Sequence, residues 1–306
     1  MRRLEESDAM TVGAPGLARI RSAERAGASP RADDDAASDP VPPPDGRSWT
    51  ARLAWVLPLP LLLLLALPLV ALVWRGLTVG EGLTADRVAA LRQALALSAV
   101  TSTVSMALIV MAGTPLAWLL ARRQFRGSRL IDVLVDLPIV LPPSVAGIAL
   151  LLAFGRFGLA GQWLDRAGIT LGFTTAAVVM AQCFVSAPFY VRAAAGAFAR
   201  VDRDLEEMAA DLGANPWEVM RTITMPLVLP GLLAGLVLAW SRALGEFGAT
   251  IMFAGNFPGI TRTMPLAIYS AYGSGDLETA VLLSIALLVA SAVVLAAVRY
   301  VGAGRR

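Results

Sequence analysis

Glu207 to Pro226 reads E-M-A-A-D-L-G-A-N-P-W-E-V-M-R-T-I-T-M-P, a polar, helix-capable insert between long apolar runs. Leu205 to Ala210 are good helix formers, Gly213 supplies a C-terminal stop, and Asn215-Pro216 opens a second helix with proline in its first turn. The stretch predicts two short helices meeting at a tight corner on a membrane face. Such an element offers Met208, Leu212, Trp217 and Val219 as apolar knobs for a groove on a partner. The competing reading is an amphipathic helix lying on lipid.

The surrounding composition sets the class. Of 306 residues 57% are hydrophobic, and they gather in runs long enough to cross a bilayer, which places the chain among all-α polytopic membrane proteins. All 26 basic residues are Arg, and there is no Lys and no His. A G-x-x-x-x-G-K-[ST] nucleotide loop is therefore excluded, as are an H-E-x-x-H zinc site, a Ser-His-Asp triad and an imidazole relay. Carboxylate or Ser chemistry stays open, but most enzyme classes are disfavoured; no metal site and no catalytic residue is assigned, and the chain is expected to be a non-enzyme. The single Cys183 lies in an apolar run and reads as a small buried hydrophobe. A net charge of +3 gives no reason to expect nucleic acid as a partner.

Residues 1–50 are polar, with Asp33-Asp34-Asp35 and Pro42-Pro43-Pro44, and read as a disordered tail that cannot bury enough apolar surface to offset ordering. Residues 51–306 form the transmembrane domain. About 20 apolar residues suffice for a crossing. Six spans are expected: Leu53–Trp74, Ala94–Ala121, Leu130–Phe154, Thr174–Phe198, Leu227–Phe253 and Leu277–Val298. The second carries Ser98, Thr101, Ser102, Thr103 and Ser105, whose hydroxyls can bond within or between helices.

Three spans carry irregular features. In the third, Pro138, Pro142 and Pro143 remove helix donors, so that span should face the protein interior or a wet pathway, unless a helix simply begins at Pro142. The fourth is expected to break at Pro188. In the fifth, Arg242 and Glu246 are four apart, on one helix face, where they can gate a pathway or tether helices. The turn-rich segment Ala254–Asp276 is too polar to span and should lie at the interface or bind a partner. Arginines concentrate at Arg122–Arg129, Arg192–Arg221 and the C-terminus, which by the positive-inside rule places both termini and the Glu207–Pro226 loop in the cytosol.

These residues resemble a known family. Glu207-Met208-Ala209, three residues, Gly213, nine residues and Ile223-Thr224-Met225-Pro226 resemble the E-A-A-x3-G-x9-I-x-L-P signature of binding-protein-dependent ABC importer permeases, with Met208 and Met225 as apolar replacements. The likeness runs from about Arg92 to the C-terminus. Ala243–Tyr269 and Leu137–Pro143 look like the molybdate branch, close to the sulfate/thiosulfate and tungstate branches.

The resemblance implies a type I ABC importer permease fold with about six transmembrane helices. It implies a multi-pass location in the bacterial inner membrane and a homodimer working with a cytosolic ABC ATPase dimer and an extracytoplasmic oxyanion-binding protein. ATP and Mg would be used by the ATPase, and no cofactor by this chain. The loop at about 201–226 would couple to the ATPase through Glu207, Met208, Ala209, Gly213, Asn215, Pro216, Trp217, Ile223 and Pro226. Pathway or gate candidates are Pro138, Pro142, Pro143, Ser144, Arg242, Gly245, Glu246 and Thr250. Asn256, Pro258 and Arg262 would face the binding protein. Hydroxyl and backbone donors of the second, third and fifth spans would escort a dianion without holding it tightly. A secondary transporter or channel would fit six spans but would not need the coupling insert.

Overall fold

The computed structural model describes residues 55–78, 84–123 and 125–303, the last seven by backbone alone. The expected tail over residues 1–50 lies outside the described residues. The described residues from Leu62 onward belong to one compact unit. Among the described residues there are only helices and connecting turns. In chain order the helices are α1 (Leu59–Leu77), α2 (Ala85–Arg122), α3 (Ser128–Val140), α4 (Pro143–Phe154), α5 (Gly161–Arg166), α6 (Thr175–Ala199), α7 (Arg203–Asp211), α8 (Pro216–Val219), α9 (Met225–Leu244), α10 (Gly248–Phe253), α11 (Met264–Gly273) and α12 (Leu277–Ala303).

Five continuous helices among the described residues are long and apolar enough to cross a bilayer: α1, α2, α6, the rod Pro216–Leu244 and α12. The rod joins α8 to α9 through a π-helical turn, Met220–Thr224. The expected third span is present as two pieces, α3 and α4, so it is broken rather than missing. Helix α2 begins at Ala85, earlier than expected, because the Thr84 hydroxyl caps it by accepting from Arg87 N.

Helix α6 is the centre of the bundle, packed along α2 and α9 and touching α3, α4 and α10. Its composition explains the position. Ala177, Ala181, Ala194 and Ala197 are buried small residues that let neighbours come close. A Cβ on Gly235 of α9 would stand 2.8 Å from Ala193 Cβ, and one on Gly113 of α2 would stand 3.1 Å from the Tyr190 ring. The expected break at Pro188 does not occur. The helix runs through this proline, which is buried, and a proline is tolerated in a span where its surroundings satisfy the freed backbone groups.

The hydroxyls of α2 hold the bundle together. Ser98 Oγ accepts from Met264 N at the start of α11 (2.8 Å), Ser102 Oγ accepts from Trp240 Nε1 of α9 (2.9 Å), and Ser105 Oγ donates to Gln182 Oε1 of α6 (3.0 Å). Ser98, Thr101, Ser102 and Ser105 are all buried. The three serines are therefore engaged in interhelical bonds in this conformation and do not line an open path, while the Thr101 hydroxyl donates to Leu97 O (2.9 Å) within α2. Hydroxyls three or four residues apart share a helix face, and here each reaches a different neighbour.

Candidate functional site

The coupling insert folds as two short helices at a corner. Asp202 caps α7 by accepting from Asp204 N at 3.1 Å. Gly213 closes it with φ of +94°, a left-handed conformation that glycine adopts without penalty. A capping box starts α8: Asn215 Oδ1 accepts from Trp217 N (3.1 Å) and Glu218 N (3.0 Å), while Glu218 Oε2 accepts from Asn215 N (2.9 Å). Met208, Leu212 and Trp217 are strongly exposed, Leu212 at 89%. Glu207, Asn215, Pro216 and Pro226 are exposed, and Ala209 and Ile223 are half-buried. Val219, expected among the knobs, is instead buried in the chain's own packing and is not available to a partner.

Glu206, which the sequence reading left unassigned, is the residue that binds this insert to the bundle. Its Oε1 accepts from Arg122 Nη2 at the end of α2 (3.0 Å) and from the Thr224 hydroxyl at the end of the π turn.

Two span breaks meet inside the bundle. Leu141 is extended, as the residue before a proline tends to be, and Pro142-Pro143 start α4 afresh. The expected continuous span Leu227–Phe253 is likewise interrupted. Helix α9 ends at Leu244, and α10 begins at Gly248, with the Glu246 carboxylate just before it accepting from Ala249 N in its first turn at 2.7 Å. The new helices pack face to face. A Cβ on Gly248 would lie 2.6 Å from Pro143 Cβ, and one on Gly147 would lie 2.7 Å from Ala249 O.

Pro143, Ser144 and the stretch from Gly245 to Thr250 are thus brought together, with Pro142, Pro143, Ser144 and Gly245 exposed. Pro138 lies apart, within α3. Glu246 is 1% exposed and pairs with Arg242 at 2.8 Å. The pair bridges the end of α9 rather than running along one helix, and its Nη1 to Oε2 contact is not a straight hydrogen bond. Thr250 is fully buried and its hydroxyl has no partner among the described residues.

The loop before α11 is tied to itself and to that helix. Arg262 Nε donates to Asn256 Oδ1 (2.9 Å), and Asn256 Nδ2 donates to Ser270 Oγ (2.9 Å). Asn256 is therefore occupied between the loop and α11, while Pro258 at the loop's tip is exposed. Beneath it Arg262, Gln93, Ser270 and Thr279 line a cavity of about 380 Å³. Asp276, also on this cavity, has its carboxyl held below the usual range by the Thr279 hydroxyl and N–H, with Arg87 adding to the effect.

A second cluster was missed in the sequence. Arg192 of α6 binds Asp136 of α3 through both Nε (2.6 Å) and Nη2 (2.8 Å), and reaches Asp132 with Nη1 at 2.7 Å. Two carboxylates four residues apart in an apolar run, with one arginine in the next span, were the available signal. Charges within spans pair in this way because burial of an isolated one is costly.

The comparisons with known proteins agree with this geometry. Residues 113–306 match the family described as binding-protein-dependent transport system inner membrane component. The molybdenum transport system permease protein ModB of Mycobacterium bovis is 51% identical over 201 residues, 66% of this chain and 76% of that protein. A probable sulfate transport system permease protein cysT of Nephroselmis olivacea is 34% identical over 259 residues, covering 83% of this chain and 90% of that one. A bacterial ABC transporter involved in alginate import shares the fold at TM-score 0.66 and 16% identity, over 85% of this chain and 96% of that chain. With its broken spans, its corner insert and a match over most of its length, the chain belongs to the family of binding-protein-dependent transport system inner membrane components.

Proposed function

We propose that this chain is the permease subunit of an ATP-driven importer of molybdate, receiving the oxyanion from a separate binding protein and passing it inward by alternating access. The observation that carries the reading is the corner insert, which presents exposed Met208, Leu212 and Trp217 on a rigidly capped scaffold, in a chain 51% identical to a molybdenum permease. A lone surface helix would not need a capping box, a left-handed glycine and a buried anchor to fix its apolar side chains. The insert has the build of a docking element for an ATPase dimer, and both chain termini and the insert are read as cytosolic. A second copy of the permease would complete the pathway, with Mg-ATP consumed only by the ATPase.

The two breaks then supply the path. Backbone groups freed where α3 meets α4 and α9 meets α10 are tolerated at membrane depth where protein or water surrounds them. Arg242 stands beside this region with about a third of its side chain exposed, and Glu246 offsets its charge. A dianion passing such a site meets attraction without a deep trap. On this reading Arg242 and Glu246 act as a fixed pair at the break. Discrimination between oxyanions is left to the binding protein.

Uptake of labelled molybdate and sulfate by cells expressing the complete system, each competed by the other and by tungstate, tests the assignment. Molybdate entry at low concentration, competed by tungstate alone, is the expected result. Equal entry and competition by sulfate would move the substrate to the branch of the sulfate relative and leave the importer reading standing.

A further inference from the structure

We propose that Glu206 is a positioning residue that transmits movement of the corner insert into the transmembrane helices. This rests on reading the insert as the ATPase contact. The proposal comes from one junction. Glu206 Oε1 receives hydrogen bonds from Arg122 at the end of α2 and from Thr224 at the end of the π turn that leads into α9. Arg203, also on α7, adds a contact to the Arg122 carbonyl oxygen at 3.4 Å. A single carboxylate therefore ties the insert to two spans.

The surroundings make that tie stiff. The Arg122 side chain is 9% exposed and that of Glu206 24%, so the pair is largely withdrawn from water and its attraction is less screened than that of a surface pair. Arg122 Nε is buried with no hydrogen-bond partner among the described residues, so removing Glu206 leaves a largely buried cation without the carboxylate that its Nη2 contacts. Thr224 ends a π turn, a departure from α-helical bonding that is frequent at functional sites. Beyond Arg122 the chain turns at Gly127, with φ of +97°, into α3 and so to the break at Pro142. Beyond Thr224 it runs up α9 to the break at Gly245. Displacement of α7 thus reaches both breaks through one side chain. Glu207, the glutamate of the family signature, is exposed on the same helix and free to face the partner instead.

The test uses the whole complex of permease, ATPase and binding protein in liposomes, with labelled molybdate as the probe. ATP hydrolysis, molybdate accumulated and subunit ratio are measured together. For Glu206→Ala the expected result is a normal subunit ratio, near-normal hydrolysis and a drop in molybdate moved per ATP of about fivefold or more, the lower end of ordinary coupling effects. The exchange Arg122→Glu with Glu206→Arg restores much of the yield per ATP. If hydrolysis and uptake fall in parallel, or if neither changes, Glu206 only supports the fold and the proposal is overturned. Should Glu206→Ala fail to assemble, Glu206→Gln decides: it keeps the acceptor for Thr224 and removes the charge facing Arg122, so unchanged molybdate per ATP overturns the proposal and a reduced yield supports it. A wild-type complex that moves no molybdate would count against the transport reading itself, whereas an active wild type with indifferent variants sinks only the role of Glu206.

Discussion

Gly213 and Arg192 show how single residues act in this chain. Gly213 has φ of +94° with nothing within 4 Å of where a Cβ would stand. A side chain there meets backbone strain of about 1 kcal/mol and no clash. Gly213→Asp should therefore insert normally yet shift the corner, so that ATP hydrolysis continues while uptake falls. Normal uptake by that variant would remove the coupling role from the corner. Arg192 is different, because it joins two carboxylates that would otherwise face each other. Arg192→Ala is expected to lower stability in detergent by about 1–3 kcal/mol, a figure below that for fully buried pairs because all three side chains are partly exposed. A thermal midpoint equal to wild type would show that the cluster adds nothing.

At the scale of elements, the two broken spans depend on the absence of side chains at their contact. A Cβ at Gly147 would lie 2.7 Å from both Ala249 O and Met252 Cβ, atoms that cannot swing aside cheaply. Gly147→Val should force α4 and α10 apart, with a loss of about 1–3 kcal/mol typical of overpacking. Uptake should fall with it, whereas Ile148→Val on the exposed side of α4 should leave both unchanged. A Gly147→Val protein as stable as wild type would mean that the contact is not maintained in the membrane. The elements were partly legible in advance. Pro142-Pro143 announced the first break, because two consecutive residues without N–H groups cannot continue a helix. The second was hidden, since Arg242 and Glu246 at helical spacing read as one face of an unbroken helix. Glu246 instead lies beyond the end of α9 and accepts from Ala249 N in the first turn of α10, and a four-residue spacing cannot distinguish pairing along a helix from pairing across its end.

At the scale of the molecule, the orientation proposed from arginine placement is open to a labelling test. With Cys183→Ser as the background, a cysteine at Leu212 should resist a membrane-impermeant thiol reagent in intact cells and react in inverted vesicles. A cysteine at Phe157, in the loop after α4 and 94% exposed, should show the reverse. The opposite pattern would invert the topology and remove the insert from reach of a cytosolic ATPase.

Sequence alone determined the membrane class, most of the crossings, the corner insert and the exclusion of nucleotide and imidazole chemistry. Each of these depends on local composition, on short-range spacing or on residue types that are simply missing. Tertiary structure decided which side chains meet. It turned the Ser98, Ser102 and Ser105 hydroxyls into interhelical bonds, withdrew Val219 from the docking face, and carried α6 through Pro188. It also joined Arg192 to Asp132 and Asp136, and Glu206 to Arg122. Those pairings span 56 to 84 residues of chain. No local pattern records them, because the energy of a buried charge depends on which helix packs beside it.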